Sequence, residues 1–371
     1  MLSKMKVEKL QRNRFAVVGC GSGGMATAAH LALQGNEVHL YEFPGFEENI
    51  APVQQLGGIK LTGEIEGFAR LTAITTNVEE AVRGAEVIIV VIPANIHKKA
   101  AELFLPHLDD EQIVVLHPGR TGGALEWYNI STQFSKNITI AETQTLLYAC
   151  RKTDLVTVNI KDVKREALLG VLPSKSTDRT IQKLRTPFPQ FKAAENVLET
   201  SLGNIGAVFH PALAIFNVYR IERGENFKFY SEGVTKTIGE ILEIVDEERC
   251  RVARAAKVRF FSAKEWLQRS YGVQGDSLYE AIHKQQAYGT IVAPHVLHNR
   301  FILEDVPTGL VPLSSFGEYF NVRIPNIHAL ITLASSMLGI DFRKVGRTVD
   351  NLGIRDMTLK QLKSFLTNGV R

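Results

Sequence analysis

Two short segments in the second half of the chain hold side chains suited to acid–base work beside an anionic substrate. They are residues 203–211 (GNIGAVFHP) and 298–307 (HNRFILEDVP). His210 stands between an apolar run and Pro211, which removes one backbone donor and biases its neighbour away from α geometry. A break in the helix is expected there, with an imidazole in apolar surroundings. Such a ring needs a partner for its second nitrogen, and a carboxylate can supply one. Asp305, two residues ahead of Pro307, is a candidate from far along the chain. Arg300 carries a planar fork of donors that matches a substrate carboxylate. Each also has a plainer explanation. A histidine so placed is more often a satisfied core residue, and a lone arginine usually ends in a surface ion pair. His295 and His298 are three apart, but Pro294 and the want of a third ligand argue against a metal.

Near the other end, Gly19-Cys20-Gly21-Ser22-Gly23-Gly24 fits G-x-G-x-x-G. Glycines recur in turns for steric reasons alone, so the hexamer matters through its context. A short apolar strand precedes it, a helix opens at Gly24, and a second strand ends in Glu42. A dinucleotide needs that order. Gly19 permits the tight turn, Gly21 lets the backbone approach the pyrophosphate, and Gly24 allows helix and strand to pack closely. The helix start offers free N–H groups and partial positive charge to the phosphates. Glu42 is placed to hold the ribose hydroxyls, and its charge would repel the 2′-phosphate of NADP. No Lys or Arg follows it before Lys60, so NAD is expected rather than NADP. Loops at 92–94 (IPA) and 117–123 (HPGRTGG) end strands on the same edge, outside which ligands of such sheets bind. The candidate cofactor contacts are therefore Gly19, Gly21, Ser22, Gly24, Glu42, Pro93 and Gly119. Gly122 and Gly123 serve equally well as a helix-start turn.

What positions these residues is an alternation of strand-like and helix-like segments. Residues 14–19, 37–41, 69–75, 86–92, 112–117 and 138–142 read as strands. Residues 24–34, 78–83, 96–105 and a segment from Gly122 read as helices between them. Single helices between strands make β-α-β units and a doubly wound, mostly parallel sheet. One or two more strands fall in 154–172, followed by a helix at 177–184. From about Ala194 the chain reads as helices, at 237–257, 261–270, 277–288, 309–320 and 325–338. The expected division is a Rossmann-type dinucleotide-binding domain at 1–195 and an all-α catalytic domain at 196–371.

The 371 residues are 45% hydrophobic and 22% charged, the mix of a soluble protein of two domains. The net charge of +4 is spread over both halves, and its share in the first fourteen residues reads as a solvated arm rather than a nucleic-acid patch. That arm lacks the apolar core of a signal peptide, and no run nears the ~18 apolar residues of a membrane span. Cys20, Cys150 and Cys250 are too few and too scattered for a disulfide framework or a zinc site, which fits a reducing compartment and a cytoplasmic location.

Taken with GCGSGG, five segments resemble the octopine/nopaline-type opine dehydrogenases over nearly the whole chain. They are HPGRTGGALE (117–126), AETQTLLYACR (141–151), NIGAVFHP (204–211), FYSEGVT (229–235) and RFILEDVPTGLVPL (300–313). The resemblance implies a Rossmann-type domain joined to a helical one, with substrate in the cleft. It implies that His210 and Asp305 form a catalytic dyad and that Arg300 grips the carboxylate of a 2-oxo acid. The reaction it implies is an NADH-dependent condensation of an amino acid, or another amine, with a 2-oxo acid such as pyruvate. The product is an N-(1-carboxyalkyl) amino acid, and the reverse oxidation uses the same site. The expected partners are these small molecules and a second copy of the chain, met through the helical domain. Ketopantoate reductases and glycerol-3-phosphate dehydrogenases share the layout and would make the product a hydroxy acid. They use a lysine as proton donor, and none lies between Ala193 and Phe227. A dinucleotide-sensing regulator without turnover is the third reading, against which His210, Arg300 and Asp305 speak. Residues 258–290 are less typical of the family and are where the amino-substrate pocket is expected.

Overall fold

The computed structural model, which describes residues 13–371, sets two wholly apolar strands at the middle of an eight-stranded sheet. These are β6 (Val87–Val90) and β7 (Ile113–Leu116), buried at every residue because both faces of the sheet are covered. In β1 (Arg14–Val18), Phe15 and Val17 enter one core and Ala16 and Val18 the other. The sheet also holds β2 (Glu37–Tyr41), β5 (Ala73–Thr75), β8 (Thr139–Thr143), β11 (Ala167–Leu172) and β12 (Phe191–Ala193). Its order is β12-β11-β8-β7-β6-β1-β2-β5, and every pairing is parallel except that of β8 with β11. The strand order reverses at β1, so a crevice opens outside the carboxyl ends of β1 and β6. Residues 1–12, which carry most of the expected basic arm, lie outside the described residues.

The strand expected over 69–75 is two strands in two sheets. β4 (Gly67–Arg70) joins β3 (Gly58–Gly63), β9 (Tyr148–Lys152) and β10 (Thr157–Val163) in a four-stranded sheet ordered β4-β3-β10-β9. This small sheet packs on the helix Ser22–Leu33. The chain changes sheets between Leu71, whose N–H donates to Gly57 O, and Thr72, whose N–H donates to Val38 O. The helix Glu47–Leu56 that leads into β3 is hidden in the sequence by Pro52 in its interior.

After β12 the chain is helical. The longest helix, Lys236–Ala255, opens on Thr235, whose side chain accepts from Ile238 N. The helix Ile205–Phe216 corrects one expectation, because it does not break at Pro211 and carries both His210 and Pro211 in its interior. Nearly all of its side chains are buried, and that packing outweighs the one backbone bond the proline forfeits. The irregular backbone lies instead at Val306–Leu310, a π-helical turn just after Asp305 in which Leu310 N donates to Asp305 O at 3.1 Å. One core runs from Val90 and Leu116 of the sheet to Val208, Leu242 and Leu313 of the helical half. No helix among the described residues is long and apolar enough to cross a membrane.

Candidate active site

His210 and Asp305, ninety-five residues apart, meet with Nδ1 2.8 Å from Oδ2. The imidazole is 15% exposed and the carboxylate fully buried. A carboxylate only accepts, so Nδ1–H donates, and on the other side of the ring the Tyr230 hydroxyl lies 2.9 Å from Nε2. Burial by itself would push the Asp305 carboxyl up. The Arg120 guanidinium, with Nη1 3.2 Å from Oδ1, and His210 outweigh that and hold it below the usual carboxylate range.

Arg120 comes from the loop after β7, at a left-handed φ of 59°, and is buried. Its Nε lies 3.2 Å from Glu304 Oε1, so one guanidinium faces two neighbouring acids. Gly206 leaves it room, since a Cβ there would stand 2.4 Å from Nη1. Glu304 Oε1 also accepts from Ala94 N at 3.2 Å, which brings in the loop after β6. Arg347 closes the arrangement from near the C-terminus, donating to the carbonyls of Ala94, Gly119 and Thr121. Arg300 opens the helix Arg300–Leu303 with its side chain 62% exposed and its Nε 3.5 Å from Glu304 Oε2. That guanidinium is largely uncommitted.

The glycine loop fits a dinucleotide. Gly19 has a φ of +108° and Gly21 begins the helix Ser22–Leu33. A Cβ on Gly24 would stand 1.8 Å from Gly19 O, whereas one on Gly21 meets nothing within 4 Å. The first position is needed for folding, and the second leaves open space beside bare backbone. Glu42, buried at the end of β2, accepts from Cys20 N at 3.0 Å and Phe43 N at 2.8 Å, and so underpins the loop. Ser22 accepts from Lys152 N at 3.0 Å, which ties its hydroxyl to the small sheet. Pro93 is exposed and heads the turn Ala94–Ile96. Gly119 is pressed against Glu142, whose carboxylate a Cβ would approach to 2.3 Å. His210 and Asp305 are thus brought together, the residues around Glu42 form a second group, and the loops carrying Pro93 and Gly119 connect the two.

Sequence reasoning passed over Arg120, Arg347, Glu142 and Tyr230. Arg120 had a sign, as an arginine in a loop at the carboxyl edge of the sheet, and Tyr230 sits in FYSEGVT. Arg347 had none, because only the fold delivers it.

A glycine loop shaped for a dinucleotide and a buried His–Asp pair, joined through the same sheet edge, fit a class, the nicotinamide-dependent dehydrogenases that combine a Rossmann-type sheet with a helical half. Within that class the chain belongs to the opine dehydrogenases. The opine dehydrogenase of Arthrobacter sp. (strain 1C) is 37% identical over 357 residues, 96% of this chain and 99% of that protein. The family model for the NAD/NADP octopine/nopaline dehydrogenase alpha-helical domain matches residues 193–338. That for the NAD-dependent glycerol-3-phosphate dehydrogenase N-terminus matches residues 14–119. Octopine dehydrogenase solved with NADH and L-arginine superposes with a TM-score of 0.78 at 23% identity, over 97% of this chain and 98% of that one. A ketopantoate reductase from Ralstonia eutropha JMP134 is more distant, with a TM-score of 0.60 at 14% identity over 87% and 98%. The chain is a nicotinamide-dependent oxidoreductase acting on CH–NH bonds, the reaction class its motifs imply.

Proposed function

We propose that the enzyme condenses an amino acid with a 2-oxo acid of the pyruvate kind, using NADH, and that His210 and Asp305 are its acid–base pair. The carrying observation is the 2.8 Å contact between His210 Nδ1 and a buried carboxylate kept ionised by Arg120. Arg300 binds the carboxylate of the oxo acid, and its exposed fork supports that role. His210, oriented by Asp305, protonates the oxygen that leaves as water when the imine forms, and in reverse takes a proton from the attacking water. When bound, NADH supplies the hydride to the imine carbon. The backbone from Gly19 to Gly24 receives its pyrophosphate and Glu42 its adenosine ribose, while Pro93 and Gly119 border the nicotinamide. The buried carboxylate at Glu42 favours NAD over NADP, since a 2′-phosphate would meet that charge. The chain divides near residue 195, and two copies join through the helical half. Three unpaired cysteines support a reducing, cytoplasmic setting.

A screen of NADH oxidation tests the reading, with amino acids offered against pyruvate, glyoxylate and 2-oxoglutarate. Oxidation that requires both an amine and an oxo acid is expected. Equal oxidation with the oxo acid alone would make the enzyme a hydroxy-acid reductase.

A further inference from the structure

Both nitrogens of the His210 ring are engaged, Nδ1 with Asp305 and Nε2 with the Tyr230 hydroxyl at 2.9 Å. A ring nitrogen offers one lone pair or one proton, so no substrate oxygen can bond Nε2 while the phenol occupies it. The phenol is not placed to leave. Its ring stacks on Tyr288 at 4.2 Å and 15°, and meets Phe229 and Phe209 edge-on at 5.3 and 6.4 Å. The residue is 4% exposed. We propose that Tyr230 is a further catalytic residue, whose hydroxyl meets the substrate oxygen and through which His210 exchanges its proton with that oxygen. The inference rests on the acid–base reading of His210 and Asp305 given above.

The step balances. In the reductive direction the adduct of amine and oxo acid loses its hydroxyl as the C–O bond breaks and the nitrogen lone pair closes C=N. The departing oxygen takes the phenolic proton, and in the same movement the phenol oxygen takes the proton from Nε2. Imidazolium becomes neutral imidazole, the phenol is restored, and water leaves. Asp305 keeps the Nδ1–H bond throughout. Burial holds the Tyr230 phenol well above its usual range, with Arg300 and Arg120 acting the other way. The group therefore passes a proton on without resting as phenolate.

Tyr230→Phe removes one oxygen and keeps the stacked ring, so NADH affinity and Tm should hold. Turnover with saturating amino acid, oxo acid and NADH should fall at least about a hundredfold, the low end for a proton-transfer group. His210→Ala is measured beside it. If Tyr230→Phe stays within about threefold of wild type while His210→Ala is crippled, the relay is overturned and the dyad stands. If His210→Ala turns over normally, the dyad reading has failed and the relay with it. A proton inventory in mixed H2O and D2O gives a readout that needs no variant. Two protons moving together bow the curve for wild-type turnover, and a straight line overturns the relay.

Discussion

Glu142, the next-to-last residue of β8, lies against Gly119 of the loop after β7 and is completely buried. Its Oε1 accepts from the hydroxyls of Thr200 and Ser201 at 2.7 and 2.6 Å, and its Oε2 from Ala124 N at 2.8 Å. Burial nonetheless prevails, and the carboxyl is pushed from 4.5 up to about 7. The folded protein therefore holds this proton more tightly than the unfolded chain does. Its contribution to stability is complete below about pH 4.5 and is lost as the pH rises towards 7. At about 1.4 kcal/mol per pH unit, the loss across that window is about 3 kcal/mol. Glu142→Gln is uncharged at every pH. Its oxygen can accept from Ala124 N, and the Thr200 and Ser201 hydroxyls can turn to accept from its amide. Urea unfolding followed by the fluorescence of Trp127, buried in the helix Gly123–Ser131, measures the difference between the two proteins. That difference should move in favour of the variant by about 2 to 3 kcal/mol between pH 5 and pH 8. Parallel losses in both proteins would refute the assignment of a desolvated carboxyl.

Gly21→Val should abolish NADH binding by fluorescence titration without lowering Tm, because a Cβ at Gly21 has open space around it in the folded chain. Gly24→Ala should lower Tm as well, its Cβ being directed into Gly19 O. Glu42→Ala should weaken NADH and narrow the preference over NADPH, read as the ratio of the two kcat/KM values, and an unmoved ratio would make Glu42 a bystander. Arg300→Lys keeps the charge without the two-point grip, so KM for the oxo acid should rise far more than KM for NADH. Equal effects on both constants would mark Arg300 as structural.

The glycine loop, Glu42 and the parallel core strands were legible because each rests on local chemistry, a turn without Cβ, a strand-end acid or an unbroken apolar run. The small sheet was not. Its members β3, β4, β9 and β10 come from two distant stretches, and a run such as 69–75 carries no mark of the point where it changes sheets. The helix through Pro211 was misjudged for a related reason. The local rule predicts a break, and burial on nearly every side, which only the tertiary structure supplies, overrides it. At the candidate site, residue chemistry nominated His210, Asp305 and Arg300 and motif resemblance gave them roles, but neither revealed what holds them. Arg120, Glu304 and Arg347 act through pairings between residues about 180 to 250 positions apart. No spacing rule reaches that far.

In the proposed reaction the His210–Asp305 pair moves the proton. The most direct test is turnover by His210→Ala, measured alongside NADH affinity and Tm. Arg120 still faces Asp305 in that variant, so no buried charge is left alone and the fold and NADH binding should persist. Turnover should fall by roughly a hundredfold to ten-thousandfold, the range for one general acid–base group. A variant that binds NADH and condenses its substrates at close to the wild-type rate would contradict the account.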